Sequence, residues 1–232
     1  MFFITNDYLR SMTIIDFDTY LQKTEILELE HQSTLELIAD VDTSLSKKEQ
    51  AVTLYYKVRD MFIYDPYHLD LRTEFLKSSH ILTKRRAWCV EKAIVLATGL
   101  RALGIPTKLG YGIVVNHIGV EKLIEKLKRE EIVFHGYVSA YIDGKWVKTT
   151  PAFDKGICRM IGVEPLEWDG ENDAMLHAFQ GEEVFMEYKH YYGEFADVPV
   201  ALMNAEMEKY YPHLFEEEHN SRRFSFFHLK SK

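Results

Sequence analysis

The stretch RRAWCVEKAIVLATGLRALGIP, from Arg85 to Pro106, carries the clearest helix signal in the chain. Its apolar residues recur at helical spacing, which predicts a buried helix from about Trp88 to Leu103. Gly104 suits the left-handed backbone that often follows a last helical turn, and Pro106 prevents the helix from continuing. Cys89, one of only two cysteines in the chain, falls in the first turn of this helix.

Cys89 has two interpretations, and its position alone does not separate them. It shares a helical stripe with Ala93, Leu96 and Leu100, which favours a small buried core residue, a common environment for free cysteine. At a helix start, however, unpaired backbone N–H groups and the helix dipole lower the pKa of a thiol and can hold an oxyanion. The second interpretation makes Cys89 a nucleophile, which requires a base.

A predicted hairpin supplies a candidate base in the segment IVFHGYVSAYIDGKWVKTTPAFD, from Ile132 to Asp154. Asp143-Gly144 is a strong two-residue turn signal between strands of alternating polarity. We expect antiparallel strands at Ile132–Ile142 and Lys145–Phe153, with His135 opposite Ala152.

Period-two alternation places His135, Thr150 and Asp154 on one face of this hairpin. Diagonal neighbours across a strand pair are within reach of side-chain contact, so a carboxylate at Asp154 could orient the imidazole of His135. The alternatives are an ordinary strand histidine and a carboxylate that caps a loop. With Cys89, the two residues form a candidate catalytic triad.

The segments WCVEKAIVLATGLRALGIPTKLGYGIV and HGYVSAYIDGKWVKTTPAFD, in this order, resemble the transglutaminase-like superfamily, which shares the papain-like thiol fold. The resemblance is best over about Ile63 to Asp154, within a single predicted domain spanning residues 1–232. It implies an α+β fold in which a cysteine-bearing helix packs on an antiparallel sheet that carries the histidine and the acid.

By the same resemblance, Cys89 is the nucleophile and His135 the general base. Family members usually carry Asp-Pro four residues after the tryptophan, whereas Thr150-Pro151 follow Trp146 here. Asp154 is the nearest carboxylate, and we predict it as the third member of the triad.

The chemistry that the family implies is acyl transfer from a carboxamide through a thioester on the cysteine. We therefore predict a cysteine peptidase or amidase acting on a peptide or protein substrate. A protein-glutamine acyltransferase and a catalytically inactive peptide-binding module are the alternatives. No cofactor is expected, and the ten histidines show no HxxxH or HExxH spacing for a zinc site.

Composition limits the other classes of function. A net charge of −8 with scattered basic residues disfavours nucleic-acid binding. The sequence contains no run of about 18 apolar residues, so we expect no membrane span. Two cysteines do not make a disulfide framework, and the first residues do not form a convincing signal peptide, so we expect a cytoplasmic protein. The oligomeric state is left open.

The remaining predictions are local. Ser46 and Glu49 form a capping-box pattern. Cys158 is expected to be structural, and Asp173 and His177 are weaker candidates for cleft residues. The other expected elements are a helix at Lys47–Phe62, a strand at Lys108–Val115, an amphipathic helix at Gly119–Glu131 and a helix at Val198–Tyr211.

Overall fold

A computed structural model describes residues 17–117, 121–175, 186–217 and 223–225. Over these ranges helices and strands are mixed along the chain, after a short 3₁₀ helix at Asp18–Tyr20. The helices are α1 Gln32–Ile38, α2 Lys47–Met61, α3 Thr73–Leu76, α4 Ser78–Ile81, α5 Cys89–Ala102, α6 Glu121–Leu127, α7 Lys155–Ile161, α8 Val200–Tyr210 and α9 Pro212–Glu217. The strands are β1 Ile63–Tyr64, β2 His68–Asp70, β3 Arg86–Ala87, β4 Thr107–Asn116, β5 Glu131–Ile142, β6 Lys145–Thr149, β7 Met186–Phe195 and β8 Arg223–Ser225.

The central sheet has four strands in the order β6-β5-β4-β7, and every neighbouring pair is antiparallel. Helix α5 packs against β5 and β4 on one side and against α1, α2 and α4 on the other. Because it is enclosed in this way, α5 is buried along nearly its whole length. The fold is α+β, with a cysteine-bearing helix on an antiparallel sheet, as predicted.

The predicted helix boundaries are confirmed closely for α2 and α5. The Ser46 side chain accepts a hydrogen bond from the Glu49 N–H at 3.3 Å, and Glu49 Oε2 accepts one from the Ser46 N–H at 2.9 Å. Gly104 has a φ of 74°, the left-handed conformation expected after α5. These ends are fixed by local contacts, which is why the sequence predicts them.

The hairpin register is confirmed, but β6 is shorter than expected. Ile142 pairs with Lys145, and the same register continues to the pair Val138–Thr149. The predicted pair of His135 with Ala152 does not form, because the chain leaves the sheet at Thr150. Its N–H donates to the carbonyl of Ala174 at 3.1 Å, and Pro151, which follows, has no N–H for a ladder.

A bulge also interrupts the pairing of β4 and β5 near His135. Gly112 pairs with His135, whereas Val114 pairs with Ile132, so β5 holds one extra residue there. Phe134 has a φ of 63° at this point. The bulge bends the strand beside His135, and the alternation of side chains assumed from the sequence does not extend past it.

One more predicted element, helix α6, differs in length from the one observed. Helix α6 is shorter than the predicted Gly119–Glu131: it ends at Leu127, Lys128 takes a left-handed φ of 57°, and Glu131 already belongs to β5. Residues 118–120 and the candidate cleft residue His177 lie outside the described residues. Strand β8 pairs with β2, so this part of the C-terminal tail folds back on the protein. Within the described ranges, no helix is long and apolar enough to cross a bilayer.

Candidate active site

Cys89 is the first residue of α5 and is 2% exposed. Trp88 precedes it in an extended conformation, and the Trp88 N–H donates to Glu91 Oε2 at 3.3 Å. The Glu91 carboxylate is itself buried and forms an ion pair with Lys84. A fixed carboxylate in the first turn therefore holds the start of the helix, leaving the thiol of Cys89 at its tip.

Gly136 of β5 packs directly on this first turn. A Cβ atom at Gly136 would lie 3.0 Å from the Cα atom of Val90 and 3.2 Å from the carbonyl oxygen of Cys89. The backbone of Gly136 also acts to lower the pKa of the Cys89 thiol, although burial raises this pKa more. The structure thus brings Cys89 against the backbone of the residue that follows His135.

The acidity of the Cys89 thiol differs from the expectation for a helix start. Burial raises the pKa of this thiol to about 11. Backbone N–H groups of Gly136, Val90 and Cys89 itself act in the opposite direction, as the helix-start argument requires, but the loss of hydration outweighs them. Cys89 is therefore a protonated thiol at neutral pH in this geometry.

His135 is 1% exposed, and Thr150 is one of its polar contacts. Thr150 Oγ1 lies 3.4 Å from His135 Nε2 and 3.0 Å from the carbonyl oxygen of Gly136. Because the hydroxyl has one proton and the Gly136 carbonyl can only accept, Thr150 donates to Gly136 and accepts from His135 Nε2–H.

Asp154 caps helix α7. Its Oδ1 atom accepts hydrogen bonds from the N–H groups of Gly156 at 2.8 Å and Ile157 at 3.2 Å, and Oδ2 accepts one from the Tyr64 N–H at 2.7 Å. These contacts match the alternative of a loop-capping carboxylate. The role of Asp154 as the third member of a triad stays a prediction.

The sequence profile described as the Transglutaminase-like superfamily matches residues 35–151, about half of the chain. The chain belongs to the transglutaminase-like superfamily. The matched range includes Cys89, His135 and Thr150, whereas Asp154 lies just beyond its end.

Comparison with solved structures finds a crystal structure of a candidate cysteine protease from Cytophaga hutchinsonii. It is 17% identical, with a TM-score of 0.44, and the match covers 59% of this chain and 42% of that one. The chain therefore spans less than half the length of this matching structure. No match was found among curated proteins at the significance level applied.

One residue near the Cys89 thiol, Tyr64, has no signal in the sequence. Burial and the neighbouring Cys89 thiol raise the pKa of Tyr64, whose ring lies 4.7 Å from that of Phe153, edge to face. Tyr64 comes from the two-residue strand β1, whose pairing with β3 brings it close to Cys89. Such a short strand has no periodicity to recognise.

Lys92, one turn after Cys89 on α5, is completely buried. Its Nζ atom donates hydrogen bonds to the carbonyl oxygens of Arg59 at 2.7 Å and Ala152 at 2.8 Å. It therefore joins α5 to the end of α2 and to the segment that follows Thr150. In the sequence, a lysine within a run of apolar helical residues indicates a buried ammonium group of this kind.

The other candidates have structural contacts. Cys158 is buried, and burial raises the pKa of its thiol to about 11. Asp173 Oδ1 accepts a hydrogen bond from the Lys148 N–H at 2.8 Å, which places it beside β6. In the part of the chain that the structure describes, no three His, Cys, Asp or Glu side chains converge as metal ligands.

Proposed function

We propose that this protein is a cysteine peptidase or amidase that cleaves a peptide or carboxamide bond through a thioester on Cys89. The observation that carries the proposal is the position of the Cys89 thiol. It lies at the start of a buried helix, on whose first turn Gly136, the residue next to His135, packs directly. Membership of the transglutaminase-like superfamily supports thiol chemistry at this site.

In the first half of the reaction, His135 takes the proton from the Cys89 thiol, and the sulfur attacks the substrate carbonyl carbon. Because the thiol pKa is about 11, this transfer must occur within the site rather than to bulk water. The tetrahedral oxyanion then collapses, the C–N bond breaks, and protonated His135 gives its proton to the leaving nitrogen. The products are an amine or ammonia and a thioester.

In the second half, His135 accepts a proton from a water molecule as the water oxygen attacks the thioester carbon. Collapse of this intermediate breaks the C–S bond, releases a carboxylic acid and returns the proton to sulfur. The backbone N–H groups of Cys89, Val90 and Gly136 surround the thiol, and such donors stabilise negative charge that develops beside it.

For the third position of the site, the contacts favour Thr150. Its hydroxyl is near the His135 ring, whereas both carboxylate oxygens of Asp154 accept backbone hydrogen bonds. A hydroxyl orients the ring but does not stabilise an imidazolium by charge. The roles of Asp154 and Thr150 are separated by the variants discussed below.

The experiment is a cysteine-replacement pair tested on a library of fluorogenic peptide amides and on peptides ending in a carboxamide. Cys89→Ala should abolish release of the amine, because loss of a nucleophile of this kind costs on the order of 10⁶ in turnover. Cys158→Ala is the matched control, since it removes the other buried cysteine. Turnover by Cys89→Ala equal to that of the wild type would refute the proposal.

A catalytically inactive peptide-binding module is the second candidate. Two observations favour it, the raised pKa of Cys89 and the threonine at the usual acidic position. This candidate predicts saturable peptide binding with no acyl-enzyme detectable by intact mass spectrometry.

Addition of a primary amine to an active preparation also separates hydrolysis from acyl transfer, because only a transferase gives the new amide. The proposed compartment is the cytoplasm, which two free cysteines suit.

A further inference from the structure

A cavity of about 110 Å³ lies beside His135. Its wall is mainly apolar and includes Val114, Ile132, Phe153, Ile161 and Met186. Several of these residues belong to a small hydrophobic cluster separate from the main core. The cavity is therefore a gap between a minor apolar cluster and the proposed base.

The size and lining of this cavity suit an apolar group. A cavity of about 150 Å³ with aliphatic and aromatic walls, in another protein, stays dry and binds benzene. The space beside His135 is of comparable size, and an empty apolar space loses van der Waals contacts on all its walls. A group of about four to six carbon atoms would restore those contacts.

An open groove of about 720 Å³ adjoins the cavity. Tyr64, Tyr67, Ile157 and Met160 line both spaces and so form their shared wall. Two apolar side chains on the groove are unusually exposed, Ile63 at 46% and Met160 at 75%. Exposed apolar groups at the entrance to an apolar cavity are typical of a binding site.

The charges along the groove are already compensated. Asp65 lies 2.9 Å from His68 Nδ1 and 3.8 Å from an Arg86 nitrogen, while the Asp154 carboxylate accepts backbone hydrogen bonds. A charged side chain entering from the groove would lose hydration without gaining an unpaired opposite charge. The surroundings therefore select against charged groups.

We propose that this cavity is the specificity pocket of the thiol site, and that it takes a branched aliphatic side chain of leucine size beside the carbonyl that Cys89 attacks. His135 lines the cavity, and Tyr64, which lines both the cavity and the groove, lies near enough to Cys89 for the thiol to raise its pKa together with burial. A peptide lying in the groove would place its side chain in the cavity, and its carbonyl would reach Cys89, which lines neither space, past Tyr64. The inference rests on the proposed function and names its substrate class: peptides with an aliphatic residue at the cleaved or modified position.

The first test uses two chloromethyl ketone probes, one derived from N-acetyl-leucine and one from N-acetyl-asparagine, which have side chains of similar shape. Their rates of Cys89 alkylation are measured by intact mass and divided by their rates with glutathione. We expect the leucine probe to react at least about tenfold faster, the scale of a well-fitted apolar pocket. Ile161→Phe fills the cavity and should remove most of this preference, whereas Leu202→Phe, on α8 and away from the cavity, should retain it.

A second measurement does not depend on cysteine chemistry. Cys89→Ala protein with ¹³C-labelled methionine methyl groups is titrated with N-acetyl-leucine amide and N-acetyl-asparagine amide. The inference predicts a saturable shift of the Met186 methyl signal with the leucine compound only. This titration also applies if Ile161→Phe fails to fold.

The outcomes distinguish a failure of the specificity pocket from a failure of the proposed function. If Cys89 reacts with the probes but at equal normalised rates, the specificity pocket is overturned and the proposed function stands. If Cys89 reacts with neither probe, this result contradicts the proposed function. The titration alone then decides whether the cavity binds an aliphatic group. A Met186 signal that does not move in that titration overturns the pocket.

Discussion

At the scale of single residues, Thr150 stands where the family resemblance predicts an acid, and its hydroxyl lies 3.4 Å from His135 Nε2. Thr150→Val keeps the shape of the side chain and removes the hydroxyl. We expect about a tenfold loss of turnover, the effect of one modest hydrogen bond, and recovery in Thr150→Ser. Steady-state rates across pH, with a thermal melt for each variant, measure this. A Thr150→Val enzyme as fast as the wild type would exclude the hydroxyl from the mechanism.

Asp154 is the residue for which two roles can be separated by one pair of substitutions. Serine caps helices well but carries no charge, whereas alanine neither caps a helix nor carries a charge. If Asp154 acts as a capping residue, Asp154→Ala should lower the free energy of unfolding by about 1–2 kcal/mol. Asp154→Ser should then restore much of this stability and leave turnover intact. As a triad carboxylate, it predicts that both variants fold and both lose turnover by on the order of 10⁴. Urea denaturation and steady-state rates, measured together, distinguish the roles, and we expect the capping result.

At the scale of elements, the contact between Gly136 of β5 and the first turn of α5 sets the distance between the sheet and the thiol. Gly136→Ala would place a Cβ atom 3.0 Å from the Cα atom of Val90, and backbone cannot move aside as a flexible side chain can. We expect a loss of about 1–3 kcal/mol of stability, the usual cost of overpacking. The urea midpoint measures it. A stability equal to that of the wild type would mean that α5 can shift away from β5 at no cost.

The elements that the sequence predicts well are those fixed by neighbouring residues. The capping box of Ser46 and Glu49, the glycine after α5 and the Asp143-Gly144 turn each depend on contacts within a few positions. The sequence does not predict the early end of β6, because there the Thr150 N–H donates to the carbonyl oxygen of Ala174, which is distant in sequence. The bulge at Phe134 depends likewise on the fit between β4 and β5, and a single strand carries no sign of it.

At the scale of the whole molecule, burial decides the chemistry of the site more than local position does. The family resemblance pointed to Cys89 and His135, and the fold places the thiol of Cys89 against the residue after His135. The thiol pKa could not be predicted in the same way. It depends on how completely β5, Tyr64 and the rest of the fold exclude water from a helix start, and this enclosure raises the pKa.

Lys92 gives a prediction for the stability of the whole protein, because its ammonium group joins three parts of the chain. Burial lowers the pKa of Lys92 to about 7, although Asp154 and Asp60 act against this shift and Arg59 adds to it. An unfolded lysine titrates near ~10.4. Between these values the folded protein binds one proton fewer than the unfolded chain, so the free energy of unfolding should rise with pH.

The useful window runs from about pH 7 to about pH 8.5, because unfolded cysteines begin to ionise near ~8.5 while the buried thiols of Cys89 and Cys158 do not. That second difference has the opposite sign and lowers stability at higher pH. Within the window, the contribution of Lys92 is a rise of at most about 1.4 kcal/mol per pH unit, the value for one proton.

Lys92→Met should remove this rise, and the exposed control Lys155→Met should keep it. The urea-derived free energy of unfolding at several pH values measures the slope for each protein. The same slope in Lys92→Met and in the wild type would show that Lys92 stays protonated in the folded protein throughout, held by the carbonyl oxygens of Arg59 and Ala152.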